Sequence, residues 1–202
     1  MAARGQQRAS SVGALCALRG RILGMCRRLR TRLDEITSDI ERYPLETQCE
    51  RIRELAEDQP HSVVCLQPSV PLRGYNCVMH ALNLVGRMAE YHPWVLEHAP
   101  PRYVNHLIET RVLIACQPQA GALITWSTDE GLKHVGKLTA PDRAESKWGQ
   151  GVLCQHGLEE LPIRFGEVSG FYSSIGPETA LEHLRRFHAA EQRAFEASAR
   201  RD

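Results

Sequence analysis

The chain has 202 residues, 43 % of them hydrophobic, and a formal net charge of +1. That suits one domain with a real core and a terminal extension. The charge is uneven: residues 1–33 hold eight arginines and no acid, so the remaining 17 basic and 24 acidic residues leave the body at −7. A mildly acidic body gives no sign of a nucleic-acid partner. No uninterrupted apolar run reaches the roughly 18 residues of a membrane span. Seven cysteines at wide, irregular spacings, with no secretory signal, read as reduced thiols in a cytoplasmic protein rather than as a disulfide framework.

The expected elements begin with a long helix over 12–42, loosened at Gly20 and Gly24. Leu15, Leu18, Ile22, Met25, Leu29, Leu33 and Ile36 recur at helical spacing. The arginine-rich start also fits an organellar transit peptide, but the periodicity runs on through Ile40 into acidic sequence, which favours a helix. Tyr43-Pro44 ends it, because a residue before proline is steered out of helical dihedrals. A second helix over 46–57 and an extended piece over 61–66 follow. A boundary near residue 60 divides a helical N-terminal extension, 1–60, from a catalytic domain, 61–202. Within that domain, helices are expected after Asn76 and over 101–109. Strands are expected at 122–127, 132–138, 144–147, 152–156 and 169–173, and a last helix at 178–200. Closely spaced strands joined by turns such as Thr128-Asp129-Glu130-Gly131 imply an antiparallel sheet in an α+β fold.

Two separated segments carry the chemistry. In Gly74-Tyr75-Asn76-Cys77, Asn76 is an N-cap candidate and Cys77 falls in the first helical turn, where unpaired N–H groups favour a thiolate. Val78, Ala81, Leu82 and Val85 then give that helix one buried face. In Leu132-Lys133-His134-Val135-Gly136, His134 is the candidate general acid/base, with Gly136 leaving open space beside its ring. The third member of a triad must hold the far imidazole nitrogen. Glu145, in Ala144-Glu145-Ser146-Lys147-Trp148-Gly149, is the choice, because a carboxylate also stabilises an imidazolium. Strand alternation places Glu145 and Lys147 on one face and Ser146 and Trp148 on the other. The Cys77 N–H and the Asn76 side chain are the economical oxyanion donors, with Gln67 behind them. Trp148, with Gly149 and Gly151, is a candidate groove wall, and Lys147 and His156 are further candidates for contact with substrate. Each also has a plainer reading, Trp148 as core and His156 as a residue capped by turn polar groups.

The segment Gly121-Ala122-Leu123-Ile124-Thr125-Trp126, then a turn, then His134-Val135-Gly136, resembles the NlpC/P60 and related CHAP-type papain-like amidases over about residues 70–173. In that family a cysteine begins a helix, a histidine sits on a strand after a Gly-Asp-containing strand, and a third polar residue on the next strand orients the imidazole. Here Gly121-Ala122 stands for Gly-Asp, and the third position is not a clear His, Asn or Gln. The resemblance implies a papain-like cysteine peptidase or amidase, needing no cofactor or metal and acting on an amide bond of a peptide or protein. Deamidation or transfer at a protein glutamine would use the same dyad. Two readings of other classes stand beside it. One is a zinc site from Cys77, His80, Cys154 and His156, with His80 expected to point away from Cys77. The other is a non-catalytic interaction module that docks a protein partner through the N-terminal helix. Walker, nucleophile-elbow, dinucleotide and His-Glu-x-x-His motifs are absent from the sequence.

Overall fold

The computed structural model describes residues 26–39, 43–67, 74–87, 99–149 and 151–199. Most of the arginine-rich stretch, with Gly20 and Gly24, lies outside the described residues, as does the 40–42 end of the expected first helix. The elements are α1 (26–37), α2 (Leu45–Asp58), β1 (Val64–Leu66), α3 (Cys77–Ala81), α4 (Pro101–Glu109), β2 (Leu123–Thr128), β3 (Gly131–Ala140), β4 (Arg143–Lys147), β5 (Leu153–Gly157), a 3₁₀ turn (Ile163–Phe165), β6 (Glu167–Tyr172) and α5 (Pro177–Ala199). The fold is α+β.

All six strands join one sheet in the order β1-β5-β4-β3-β2-β6, and every pairing is antiparallel. Helices cover both faces. On one, α3, α4 and α5 pack Cys77, Val78, Leu82, Tyr103, Leu107, Leu181 and Leu184 against Leu123 and Val135. On the other, Leu29 and Leu33 of α1 and Ile52 and Leu55 of α2 meet Ile124, Trp126, Leu138, Ala144 and Trp148. Residues on both sides of position 60 thus share the second core. Two arginines clamp α1 across this layer. Arg30 Nε donates to the Leu161 carbonyl at 3.2 Å, and Arg164 Nη1 meets Asp34 Oδ1 at 2.6 Å.

The apolar pattern after Cys77 suggested a helix through Val85, yet α3 stops at Ala81. Asn83 turns into the left-handed region at φ 56°, where asparagine is tolerated, and Leu84 N–H closes back on the Met79 carbonyl at 2.8 Å. Leu82 and Leu84 remain fully buried, so the apolar residues pack without continuing the helix. Asn76 is the N-cap as expected, its oxygen accepting from Met79 N at 3.1 Å.

Two close approaches depend on glycine. Gly166, at φ 82° and ψ −154°, lies where a Cβ would fall 2.0 Å from the Ser127 carbonyl oxygen. Gly136 does not leave open space: a Cβ there would meet Glu145 O and Ser146 Cβ at 2.9 Å and the Trp126 ring at 3.3 Å. In urea unfolding, Gly136→Ala should cost about 1–3 kcal/mol and Gly166→Ala about 3 kcal/mol or more. Gly74→Ala, whose added Cβ would have nothing within 4 Å, should stay within about 0.5 kcal/mol.

Candidate functional site

Cys77 opens α3 with its side chain in the core layer that α3, α4 and α5 form over the sheet, against Val135 of β3, and is only 6 % exposed. Burial pushes its thiol up from the usual 9.0. The backbone N–H groups of Val135, Val78 and Cys77 itself, and then the Lys147 ammonium, oppose that rise without cancelling it. Among the groups that favour sulfur as an anion the strand N–H of Val135 comes first, the two N–H groups of the helix start follow, and the lysine adds least.

Lys147 comes from β4 and is fully buried. Its Nζ donates to the carbonyls of Gly149 at 3.1 Å and Gly151 at 2.6 Å, and lies 5.2 Å from the Tyr75 ring centre. Burial pushes it down to about 8, with Cys77 and Cys154 pulling in the other direction. Two residues earlier on the same face, Glu145 Oε1 accepts a 2.9 Å hydrogen bond from His80 Nε2. That bond holds the Glu145 carboxyl below its usual value of 4.5 despite partial burial. Glu145 therefore does orient an imidazole, but it is His80's. The expectation that His80 points away from the Cys77 side of α3 is wrong, since both residues project onto the sheet, Cys77 over β3 and His80 over β4. Lys137, paired with Glu145 across β3 and β4, extends the polar row and donates to Asn83 Oδ1 at 2.6 Å.

His134 is not in this group. It is directly opposite Trp126 in the β2–β3 ladder and shares the face that α1 and α2 cover. Its ring stacks on Phe165 at 4.0 Å between centres and lies 5.3 Å from Trp126. At 1 % exposure, neither ring nitrogen has a hydrogen-bond partner among the described residues. Burial first, and then the charges of His156, Arg164 and His80, hold it well below 6.5, so it is neutral. Cys77 packs over Val135, and Val135 and His134 are consecutive on a strand, so sulfur and imidazole are on opposite sides of the sheet. The expected Cys77–His134 pair is not assembled, and Glu145 is no third member for it.

The other candidates are also used structurally. Asn76 caps α3 with its oxygen and donates from Nδ2 to the Ala99 carbonyl at 2.7 Å, which leaves its amide committed rather than aimed at an oxyanion. Trp148 is core: its Nε1 donates to Ser146 Oγ at 3.1 Å. Ser146 Oγ lies 2.8 Å from His156 Nε2, and His156 Nδ1 is 2.8 Å from the Gly157 carbonyl. The chain closes if His156 is neutral with its proton on Nδ1, so His156 is a satisfied structural residue rather than a cleft residue. Trp148, Gly149 and Gly151 do border a cavity of about 270 Å³ with Gln48, Thr37 and Arg164, but it lies on the α1/α2 side, away from Cys77. The zinc alternative fails on the same division: Cys77 and His80 are on one face, and Cys154 and His156 are in the other core or its hydrogen-bonded wall.

Both His80 and Lys147 were named from sequence, but in other roles: His80 as Glu145's partner and Lys147 as a charge acting on Cys77 were missed. His80 stands at i+3 from Cys77, a spacing that puts both on one side of a helix, so its signal was present. Comparison with known proteins returned no match among family models, curated proteins or solved structures.

The buried histidines make a pH prediction. Burial pushes His156 from 6.5 down to about 4, while the Gly157 carbonyl and Glu160 pull it up. Above pH 6.5 the imidazole is neutral in folded and unfolded chains alike. Below it the unfolded chain takes a proton that the folded one refuses. Stability should therefore fall as pH drops from 6.5 to about 4, by about 3 kcal/mol for this one residue, and then level off. His134 is held down in the same direction and should deepen the loss. Urea unfolding across that range measures it, and His156→Gln should flatten the profile by His156's share.

Proposed function

We propose that this chain is a papain-like cysteine hydrolase that cleaves an amide bond of a peptide or protein through Cys77, served by Lys147 and the His80–Glu145 pair in place of His134. The supporting observation is the set of groups around the sulfur: three backbone N–H groups and a buried ammonium that favour the thiolate, against the burial that opposes it. A cysteine starting a helix packed on an antiparallel sheet also suits a papain-like arrangement.

In this reading the Lys147 ammonium stabilises the Cys77 thiolate, which attacks the carbonyl carbon. His80 carries the thiol's proton and gives it to the leaving amine, and Glu145 stabilises the imidazolium between those steps. Water then releases the acyl group, with His80 taking its proton. The same groups would serve deamidation or acyl transfer at a glutamine, with water or a second amine as acceptor. The six described cysteines are all unpaired, as a reducing cytoplasm would keep them, and no described helix is long and apolar enough to cross a membrane.

A non-catalytic interaction module on the same scaffold is the competing reading, favoured by the low exposure of Cys77. Labelling with a peptide electrophile separates the two. Hydrolase chemistry requires that Cys77 be the residue labelled, that Cys77→Ala abolish labelling, and that Lys147→Met and His80→Ala each slow it about 10-fold or more. Labelling that bypasses Cys77, or rates unchanged in both partner variants, would assign the protein to the interaction class. His134→Phe should keep labelling within about 2-fold and hold or raise stability, because it removes a buried imidazole with no partner. A loss like that of Cys77→Ala would return His134 to the site.

A further inference from the structure

Three thiols that play no part in the proposed reaction gather at the β1 edge of the sheet. Cys65 of β1 and Cys154 of β5 are register partners in an antiparallel pair, and their sulfurs are 3.9 Å apart. Cys49 of α2 is hydrogen-bonded to Cys65 from the layer above, a contact that raises Cys49's own pKa. β1 is three residues long, and among the described strands it pairs only with β5.

We infer that Cys65 and Cys154 are a site of reversible oxidation, forming a cross-strand disulfide that locks the edge strand β1 onto β5. Antiparallel partners have Cα atoms about 4.5–5.5 Å apart, inside the roughly 4.4–6.8 Å range a disulfide accepts, so the backbone needs little movement. The sulfurs must close from 3.9 Å to bonding distance, a change of side-chain torsion. Cys65 is partly exposed and Cys154 buried, which assigns Cys65 as the sulfur that meets an oxidant and Cys154 as the one that resolves it. With a low-molecular-weight disulfide such as glutathione disulfide, the Cys65 thiolate attacks one sulfur and expels one glutathione thiolate, which takes up Cys65's proton. The Cys154 thiolate then attacks the Cys65 sulfur of the mixed disulfide and expels the second glutathione, which takes up Cys154's proton. Two protein thiols are oxidised by two electrons and one glutathione disulfide is reduced to two thiols. The Cys65 thiol is pushed up to about 12, chiefly by its hydrogen bond with Cys154. The first step is therefore slow near neutrality and speeds about 10-fold per pH unit below that value.

The test equilibrates the full-length chain in glutathione redox buffers of rising oxidation, quenches with acid, counts thiols and maps tryptic peptides. Cys49, Cys65 and Cys154 fall on separate peptides, 43–51, 54–73 and 148–164. The expected result is a fall from seven thiols to five, a loss of two hydrogens, a 54–73 to 148–164 crosslink, and full return with dithiothreitol. Cys77→Ser should form the same bond, so the result is independent of the hydrolase reading. Cys65→Ser and Cys154→Ser should each abolish it, and their circular dichroism and urea unfolding show whether each remains folded. Seven free thiols at the most oxidising ratio overturn the inference. So does a crosslink to Cys49, or a lasting glutathione adduct on Cys65 in the unsubstituted chain.

Discussion

A strand buried on both faces must send neighbouring side chains into different layers, and on β3 that alternation decides which groups can meet. Val135 faces α3 and underlies Cys77. His134, one residue earlier, faces the α1/α2 layer and stacks on Phe165. No side-chain rotation takes an imidazole through a hydrogen-bonded sheet, and slipping the register by one residue would turn every apolar residue of β3 inside out. Leu138 on one face and Val135 on the other hold the register where it is. The charged groups beside Cys77 are consequently supplied by β4 and by α3 itself.

β4 shows the same rule acting on polar side chains. Glu145 and Lys147 point to the α3 layer, and Ser146 points the other way to join His156 and Trp148. Each finds partners: Lys147 in two glycine carbonyls, Ser146 in an imidazole and an indole N–H. A buried group so satisfied costs little, whereas one left alone costs about 1–3 kcal/mol. His134 is the exception in this region. Its two nitrogens lack partners while its ring gains stacking against Phe165 and contact with Trp126. That balance makes it an aromatic core residue that happens to carry nitrogens. Lys147 has the opposite character, a charge kept in the interior because loop carbonyls wrap it and a thiol lies within its field.

The Trp148–Gly149–Gly151 loop joins the two layers. On one side it accepts Lys147's hydrogen bonds, and on the other Trp148 enters the α1/α2 core. Cross-strand pairing of Lys137 with Glu145 and of Ser146 with Cys154 extends the coupling to β3 and β5. The groups beside Cys77 and the thiols near β1 are thus separate clusters held by one ladder.

Much of the fold was legible because local patterns were strong. The expected strands at 132–138 and 144–147 lie inside observed strands, Pro101–Glu109 matches its expected helix, and Asn76 caps the helix that Cys77 opens. The alternation of Glu145 and Lys147 against Ser146 and Trp148 was also readable, since it is a property of any strand. Which face of β4 meets α3, and which face of β3 meets α1, is set by layers packed from segments far away in the chain, so residue order could not reveal it. The sequence by itself determined an α+β chain with a cysteine at a helix start and polar residues on sheet strands. Tertiary structure alone decided that Lys147 stands on that cysteine's side and His134 does not, because the side of a sheet is assigned by what packs against it.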